Sequence, residues 1–324
     1  MFTLINQFKN LYMHPIHIAL CVNDGYVPYA CVTIKSIIEN HKNKKVTIHL
    51  LSDFISDKMR NRLNEVVKSV KTITLHIHIV NDESLRGLKD TWSIYTWYRV
   101  LLPQVLSNDI HRVLYLDADT IVAGDLSKLF TMDMDKKAIA GSIDPESFNH
   151  ETFERCGYDS SKKYICAGVM LMNLDYWRKN NLTEEVIKWG RKNNDRIKFP
   201  DQDTINYLCR DSKIVLPLQY GIIGCFFQNE QFYNSSLITE LHSAIDSPRI
   251  IHYAGQAPWK IDIANHIMQN EWIKYNKMLK HPAKRFYITK GWLFVKLIIW
   301  KLLHPFNKST HLSIDDVKQK LNSI

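Results

Sequence analysis

Val113-Leu114-Tyr115-Leu116 is an apolar run that stops on Asp117-Ala118-Asp119, two carboxylates one residue apart. A run of this kind reads as a buried strand. A buried strand that ends in acids delivers them to the carboxyl edge of a sheet, where α/β proteins bind ligands in the crevice outside the strand ends. Two hard oxygen donors there suit a divalent cation with room left for phosphate oxygens. The spacing is nevertheless common, and a solvated pair of loop carboxylates is spelled the same way. The company of the triplet decides between the two.

Upstream, His17 to Val22 is an apolar segment running into Asn23-Asp24-Gly25-Tyr26, after which Ala30, Ile34, Ile37 and Ile38 recur at helical spacing as far as Asn40. Val46 to Leu51 is a second strand, and Met59, Leu63, Val66, Val67 and Val70 mark one face of a second helix. Thr74 to Val80 alternates, with His76 and His78 on the side opposite Leu75, Ile77 and Ile79; solvent-facing strand positions explain these two histidines more simply than a metal pair. A helix over Ser93 to Leu102, ended by Pro103, then leads into the strand at Arg112. Repeated strand-helix alternation predicts a mostly parallel sheet. Downstream the pattern predicts a short helix at Leu126–Phe130 and strands at Ala138–Ile143, Val169–Asn173 and Arg249–Tyr253. It also predicts an amphipathic helix over Leu182–Trp189 and one opened by Pro200-Asp201-Gln202-Asp203, where Asp203 reads as a helix-start carboxylate.

At 324 residues with 45% hydrophobic content the chain is long enough for a large α/β unit. Its net charge of +9 admits nucleic acid, an anionic membrane or an anionic small substrate, but no basic run with interleaved aromatics marks a nucleic-acid module. Six cysteines without a CxxC pair read as reduced thiols in a cytosolic protein, and the first residues do not have the pattern of a secretory signal. From Phe286 to Leu303 aromatic and aliphatic residues are interrupted by lysines every few positions. Such a stretch is too charged to span a bilayer and suits a helix lying in the interface, with lysines toward anionic lipid; a helix docked on the domain's own core is the alternative. The expected layout is an extension over 1–15, a catalytic unit over 16–262 and a basic, aromatic helical tail over 263–324.

Four segments point at one site if the strands are ordered as expected: Asn23-to-Tyr26, Asp117-Ala118-Asp119, Asp201-Gln202-Asp203 and His252-Tyr253-Ala254-Gly255. Two carboxylates and an imidazole make a plausible octahedral site for manganese or magnesium with positions left for a diphosphate. With Tyr98-Arg99, Ala167-Gly168-Val169, Leu171-Met172-Asn173-Leu174 and Pro258-Trp259 added, this ordered series from about His17 to Lys260 resembles the retaining glycosyltransferases of family 8, bacterial lipooligosaccharide and lipopolysaccharide enzymes among them.

The resemblance implies a GT-A fold, with a Rossmann-like, mostly parallel mixed sheet flanked by helices. It also implies a UDP-galactose or UDP-glucose donor and bound Mn2+ (or Mg2+). By the same resemblance Asp117, Asp119 and His252 match metal ligands. Asn23, Asp24, Gly25 and Tyr26 match the nucleotide loop, and Arg99, Ala118, Asp144 and Gly255 match positions around the donor. Asp201 and Gln202 match the pair beside the anomeric carbon. The sequence departs from the family in having Cys166 where many members have asparagine. It also has Ala257 where a lysine commonly precedes Pro-Trp; Lys260, just beyond, is the candidate to take its place at the diphosphate. Retention is expected by front-face displacement, since Gln202 is a poor nucleophile. The expected partners are the UDP-sugar, a glycolipid or oligosaccharide acceptor and the inner face of the membrane, which places the protein in the cytoplasm, peripherally attached. A nucleotidyltransferase is disfavoured because no glycine-rich basic loop follows the first strand. A nucleotide-sugar-binding protein without turnover stays open.

Overall fold

The computed structural model describes residues 16–81, 83–91, 93–232, 237–261, 266–287 and 314–323. Strand β1 (Ile16–Cys21) leads through the Asp24–Tyr26 turn into helix α1 (Val27–Asn40), whose early Pro28 needs no intrahelical donor. Then follow β2 (Val46–Ser52), α2 (Asp57–Val67) and β3 (Ile73–Ile79). After these come β4 (Arg112–Leu116), β5 (Thr120–Val122), β6 (Ile139–Ser142) and β7 (Val169–Asn173). Helices α3 (Leu182–Lys192) and α4 (Pro200–Leu208) precede β8 (Lys213–Leu216) and β9 (Ile222–Ile223). The remaining elements used below are α5 (Ile238–Asp246), β10 (Ile250–His252), β11 (Lys260–Ile261), α6 (Gln269–Lys277), β12 (Phe286–Tyr287) and α7 (Ile314–Asn322).

The main sheet has the order β3-β2-β1-β4-β7-β6-β8. Its first four strands are parallel, β7 runs antiparallel to both neighbours, and β8 is parallel to β6. The sheet is mixed and mostly parallel, as expected. Pleating sends Ile18, Leu20, Leu114 and Leu116 into one apolar core and Ala19, Leu51, Val113 and Tyr115 into a second on the other face. A sheet buried on both faces explains why β4 reads as an unbroken apolar run.

A smaller sheet, β5-β10-β9, stands against the carboxyl edge of the first. Its antiparallel β5–β10 register sets His252 opposite Thr120, one residue past Asp119.

Two sequence expectations need correction. The segment read as an α-helix over Ser93–Leu102 is a 3-10 helix, Ile94–Leu101, capped by Ser93. Ile94, Trp97 and Val100 recur every third residue, the repeat at which 3-10 side chains eclipse, and over so short a run that repeat imitates an α-helical stripe. Pro103 does not end the helix but sits in the first turn of the following one, Leu102–Val105. Beyond residue 262 the packing continues. Trp272, Tyr275, Leu279 and Ala283, and then Val317 and Leu321 of α7, belong to the same core as β1 and α1. Phe286 and Tyr287, where the interfacial helix was expected to begin, form β12 and pair with β11. The rest of that stretch, 288–303, lies outside the described residues. Among the described residues no helix is long and apolar enough to cross a membrane, and all six cysteines are free thiols, Cys225 half-buried and the others buried.

Candidate active site

Asp117 and Asp119 follow β4 directly, and three backbone tethers hold them. The Asp117 N–H donates to Gly168 O at 2.8 Å, fastening the end of β4 to the start of β7. The Tyr253 N–H donates to Asp119 O at 2.9 Å, fastening the turn to the end of β10. Thr33, wholly buried in α1, sends its hydroxyl to Ala118 O at 3.0 Å and Thr120 O at 2.8 Å. The turn therefore carries little freedom, and its carboxylates project from a fixed base.

His252 Nε2 lies 3.6 Å from Asp117 Oδ2 and 3.4 Å from Asp119 Oδ1, and one ligand atom from each of the three residues falls within 4.8 Å of the others. Two hard oxygens and one imidazole nitrogen at these separations fit the edges of a coordination polyhedron around Mn2+ or Mg2+. Among the described residues no other three side chains already hold their ligand atoms this close together. The second oxygen of Asp117 is already engaged: Oδ1 accepts from Arg99 Nη2 at 3.0 Å and from the Tyr115 hydroxyl at 2.6 Å. Burial pushes the Asp117 pKa up, yet Arg99, His252 and Tyr115 outweigh it and hold the carboxyl below its ordinary value. For His252 burial works against the charged form, but Cys166 and Asp119 prevail and raise it above the ordinary imidazole range. A field that holds a proton between these groups also favours a cation in its place.

Two neighbours shape this triad. Cys166 Sγ lies 3.3 Å from His252 Nδ1, which leaves Nε2 for the carboxylate side. Gly168 packs so closely that a Cβ there would stand 2.3 Å from His252 Cε1 and 2.5 Å from Asp117 Oδ2. The family motif contains Gly168, but the sequence alone assigned it no role. The Tyr115 contact was within reach, since residues two apart on a strand share a face. Thr33 had no sequence signal at all.

The triad opens into a cavity of about 640 Å3. Of the residues singled out from sequence, Asn23, Tyr26, Arg99, Asp117, Ala118, Asp119, Asp144, Asp201, Gln202, His252 and Gly255 line it. Asn23 shapes its rim by accepting the Tyr26 N–H at 2.9 Å. Tyr26 is 45% exposed and stands edge-on to Trp259, which itself stacks on Tyr29 with ring centroids 3.9 Å apart. Gly255 takes the left-handed conformation, φ 72°, that glycine adopts freely. Ser93, Tyr95, Thr96 and Phe199 complete a wall for which the sequence had no signal.

Four of the sequence candidates stand elsewhere or act differently. The Asp24 carboxylate turns away and accepts from the Ser56 N–H at 2.8 Å and hydroxyl at 2.9 Å, pinning the start of α2. Gly25 and Lys260 are exposed and do not line the cavity. Arg99 reaches the cavity but is spent inside it: besides Asp117, its Nε lies 3.2 Å from Asp201 Oδ2, and its guanidinium packs 4.2 Å from the Tyr115 ring. It is a clamp between two acids. Burial and the Asp117 charge push the Asp201 pKa up, with Arg99 opposing.

Gln202 is also engaged, accepting from the Ala167 N–H at 2.8 Å and donating to Asp144 Oδ2 at 3.3 Å. Asp144 is pushed up to about 6, by burial above all and by the nearby Glu146 charge. Asp203 accepts from the Lys198 and Phe199 N–H groups at the head of α4 and pairs with Arg155, in keeping with its reading as a helix-start carboxylate.

The comparisons with known proteins agree with this geometry. The model of glycosyl transferase family 8 matches residues 17–263. A lipopolysaccharide 1,2-glucosyltransferase of Escherichia coli is 29% identical over 251 residues, 76% of this chain and 73% of that protein. A lipopolysaccharide 1,3-galactosyltransferase of Salmonella typhimurium is 23% identical, over 75% of this chain and 72% of its own length. In fold the chain is similar to the galactosyltransferase LgtC, solved with donor and acceptor sugar analogues. The TM-score is 0.74 at 22% identity, covering 87% of this chain and 99% of that one.

Proposed function

The chain belongs to glycosyl transferase family 8, and we propose that it moves galactose or glucose from a UDP-sugar to a saccharide acceptor of a lipopolysaccharide or lipooligosaccharide. The observation that carries this reading is the convergence of Asp117, Asp119 and His252 at a cavity that the exposed Tyr26 also lines. The names of the relatives support a hexose and an envelope glycan acceptor.

Asp117 Oδ2, Asp119 and His252 Nε2 would hold Mn2+, or Mg2+. Bound there, the ion supplies Lewis-acid neutralisation of the charge that gathers on the departing diphosphate. The rest falls to side chains. Tyr26 offers a ring face to the base, on a turn that Asn23 keeps rigid. Asp144 and the Gln202 amide, bonded to each other, bind the donor sugar. Transfer retains the anomeric configuration without a covalent intermediate, because neither candidate nucleophile is free. Asp201 is held by Arg99 and Gln202 is an amide already bonded at both ends. The acceptor hydroxyl attacks from the face the diphosphate leaves, its proton passes to a phosphate oxygen, and Asp201 stabilises the positive charge at the anomeric carbon by position. The basic, aromatic stretch that follows Tyr287 would rest on the anionic inner leaflet, where such an acceptor is presented.

A donor screen tests this. UDP-galactose or UDP-glucose should raise the melting temperature most, and only with Mn2+ present. The same donor should be hydrolysed slowly, and Asp119→Ala should abolish turnover in a folded protein. Protection without turnover would make the chain a binding protein. Formation of UDP-sugar from a sugar phosphate and UTP would make it a nucleotidyltransferase. Full turnover in excess chelator would end the metal assignment.

A further inference from the structure

Four histidines from three neighbouring strands share one patch of the main sheet, on the face that also carries Ala19 and Leu51. His17 of β1 lies with Nδ1 3.0 Å from His49 Nε2, and His49 Nδ1 lies 3.0 Å from His78 Nε2. His49 of β2 is the register partner of His76 on β3, the edge strand. The ring centroids of His49, His76 and His78 form a triangle with sides of 5.8, 5.3 and 6.3 Å. The patch is separate from the donor cavity: His17 stands four residues, about 13 Å, back along β1 from Cys21 at the cavity floor.

We propose that His49, His76 and His78 form a second metal site, for a borderline divalent ion such as Zn2+ or Cu2+, on the β2–β3 edge of the sheet. Three imidazoles on a common ion at about 2.0–2.1 Å place their ring centroids roughly 5 Å apart, close to the triangle observed. The 3.0 Å separation of His49 Nδ1 and His78 Nε2 is that of two adjacent ligands, with an ion taking the place of the shared proton. His76 now stacks on His49, and being exposed it has only to turn about its side-chain bonds for its nitrogen to join the other two.

The donor set decides the class of ion. Nitrogen ligands without a carboxylate suit zinc, copper or nickel and disfavour the manganese expected at Asp117 and Asp119. The nearest acid that bears on the patch, Asp109, acts on His17 at its other end. The rings are also ready as ligands, since burial and the mutual repulsion of the imidazoles keep His49 neutral down to about 3 and lower His78 as well.

The test uses the full, untagged chain carrying Asp119→Ala, so that the first site is removed. Equilibrium dialysis should show one Zn2+ held per chain, and Co2+ in its place should give the visible absorption of a nitrogen-ligated ion. His76→Gln together with His78→Gln, both on the edge strand, should abolish that equivalent without lowering the melting temperature of the metal-free protein. In the wild-type background the same pair should leave sugar transfer unchanged. Mn2+ should not compete. The proposal is overturned if the Asp119→Ala chain holds no Zn2+, or holds it equally well after both glutamine substitutions. Loss of the donor site's Mn2+ dependence would leave this result standing, because the two sites are read in different variants.

Discussion

Gly168→Ala probes the proposed metal triad without removing any of its three residues. Its Cβ would meet His252 Cε1 at 2.3 Å, Asp117 Oδ2 at 2.5 Å and His252 Nε2 at 2.8 Å, whereas ordinary contact begins at 3.4 Å. The imidazole must therefore retreat by the difference, 1.1 Å, and the carboxylate by 0.9 Å. Neither move is free. The Asp117 carboxylate is held by Arg99 and Tyr115 through its other oxygen, and the His252 ring is backed by Cys166. Displacing a catalytic group by about 1 Å costs on the order of 100-fold in rate, and disturbing ligand orientation weakens metal binding by roughly 10–100-fold.

The backbone raises no objection of its own. Gly168 is not among the glycines with positive φ, so alanine fits its conformation and the fold should hold. Gly87 is the matched control: its φ is +79° and nothing lies within 4 Å of an added Cβ. Gly87→Ala should cost about 1–2 kcal/mol of stability through backbone strain and leave the site untouched. Mn2+ titration calorimetry, donor hydrolysis and thermal melting on both variants separate the cases. Gly168→Ala should lose metal affinity and kcat/KM while still melting cooperatively, at a lowered temperature, and Gly87→Ala should lose stability alone. Wild-type Mn2+ affinity and turnover in Gly168→Ala would refute the claim that the packed positions of Asp117 and His252 are the working ones. Loss of cooperative melting in that variant would refute the claim that this glycine serves the site and not the fold.

Two further predictions concern groups around the triad. Arg99→Met should destabilise the protein by about 3–5 kcal/mol, since it strands the buried Asp201 and the half-buried Asp117 carboxylates. Arg99→Lys should rescue only in part, because one ammonium cannot fork to both acids; denaturant unfolding of the two variants is the check, and equal stability of Arg99→Met and wild type would discard the clamp. Asp144, pushed up to about 6, is neutral in more acidic solution, so kcat/KM should rise as pH climbs through about 6 and lose that limb in Asp144→Asn. The stability effect has the opposite sign. A carboxyl whose folded pKa is raised binds more protons folded than unfolded, so its contribution to stability falls as pH rises from about 4 to about 6, and Asp144→Asn should remove that slope.

What was legible in the sequence was whatever is written within one element. Apolar strands, the acids that end β4, Pro200 opening a helix and His252 closing a strand all announce themselves over a few residues. The 3-10 helix at Ile94–Leu101 was misread because periods of 3.0 and 3.6 are hardly distinct over eight residues. The partnerships were less accessible. Thr33 and Ala118 are 85 residues apart, and Cys166 and His252 are 86 apart. Asp24 has the letters of a nucleotide contact and the geometry of a tether to Ser56. His76, read as solvent-facing, is exposed, but nothing local says that β2 lies beside β3 and sets His49 against His76 and His78.

The division has a physical cause. A ligand must end a strand or open a helix to reach the cavity, and such positions carry local signals of polarity and turn chemistry. The groups that aim those ligands only have to be near them in space, and strand order decides which they are. In this chain Arg99, Tyr115, Thr33, Cys166 and Gly168 are of the second kind. Cys166 is thus better judged by its neighbour than by its letter. A thiol 3.3 Å from His252 Nδ1 occupies the side of the ring away from Asp117 and Asp119, so it backs the imidazole and leaves Nε2 facing the carboxylates.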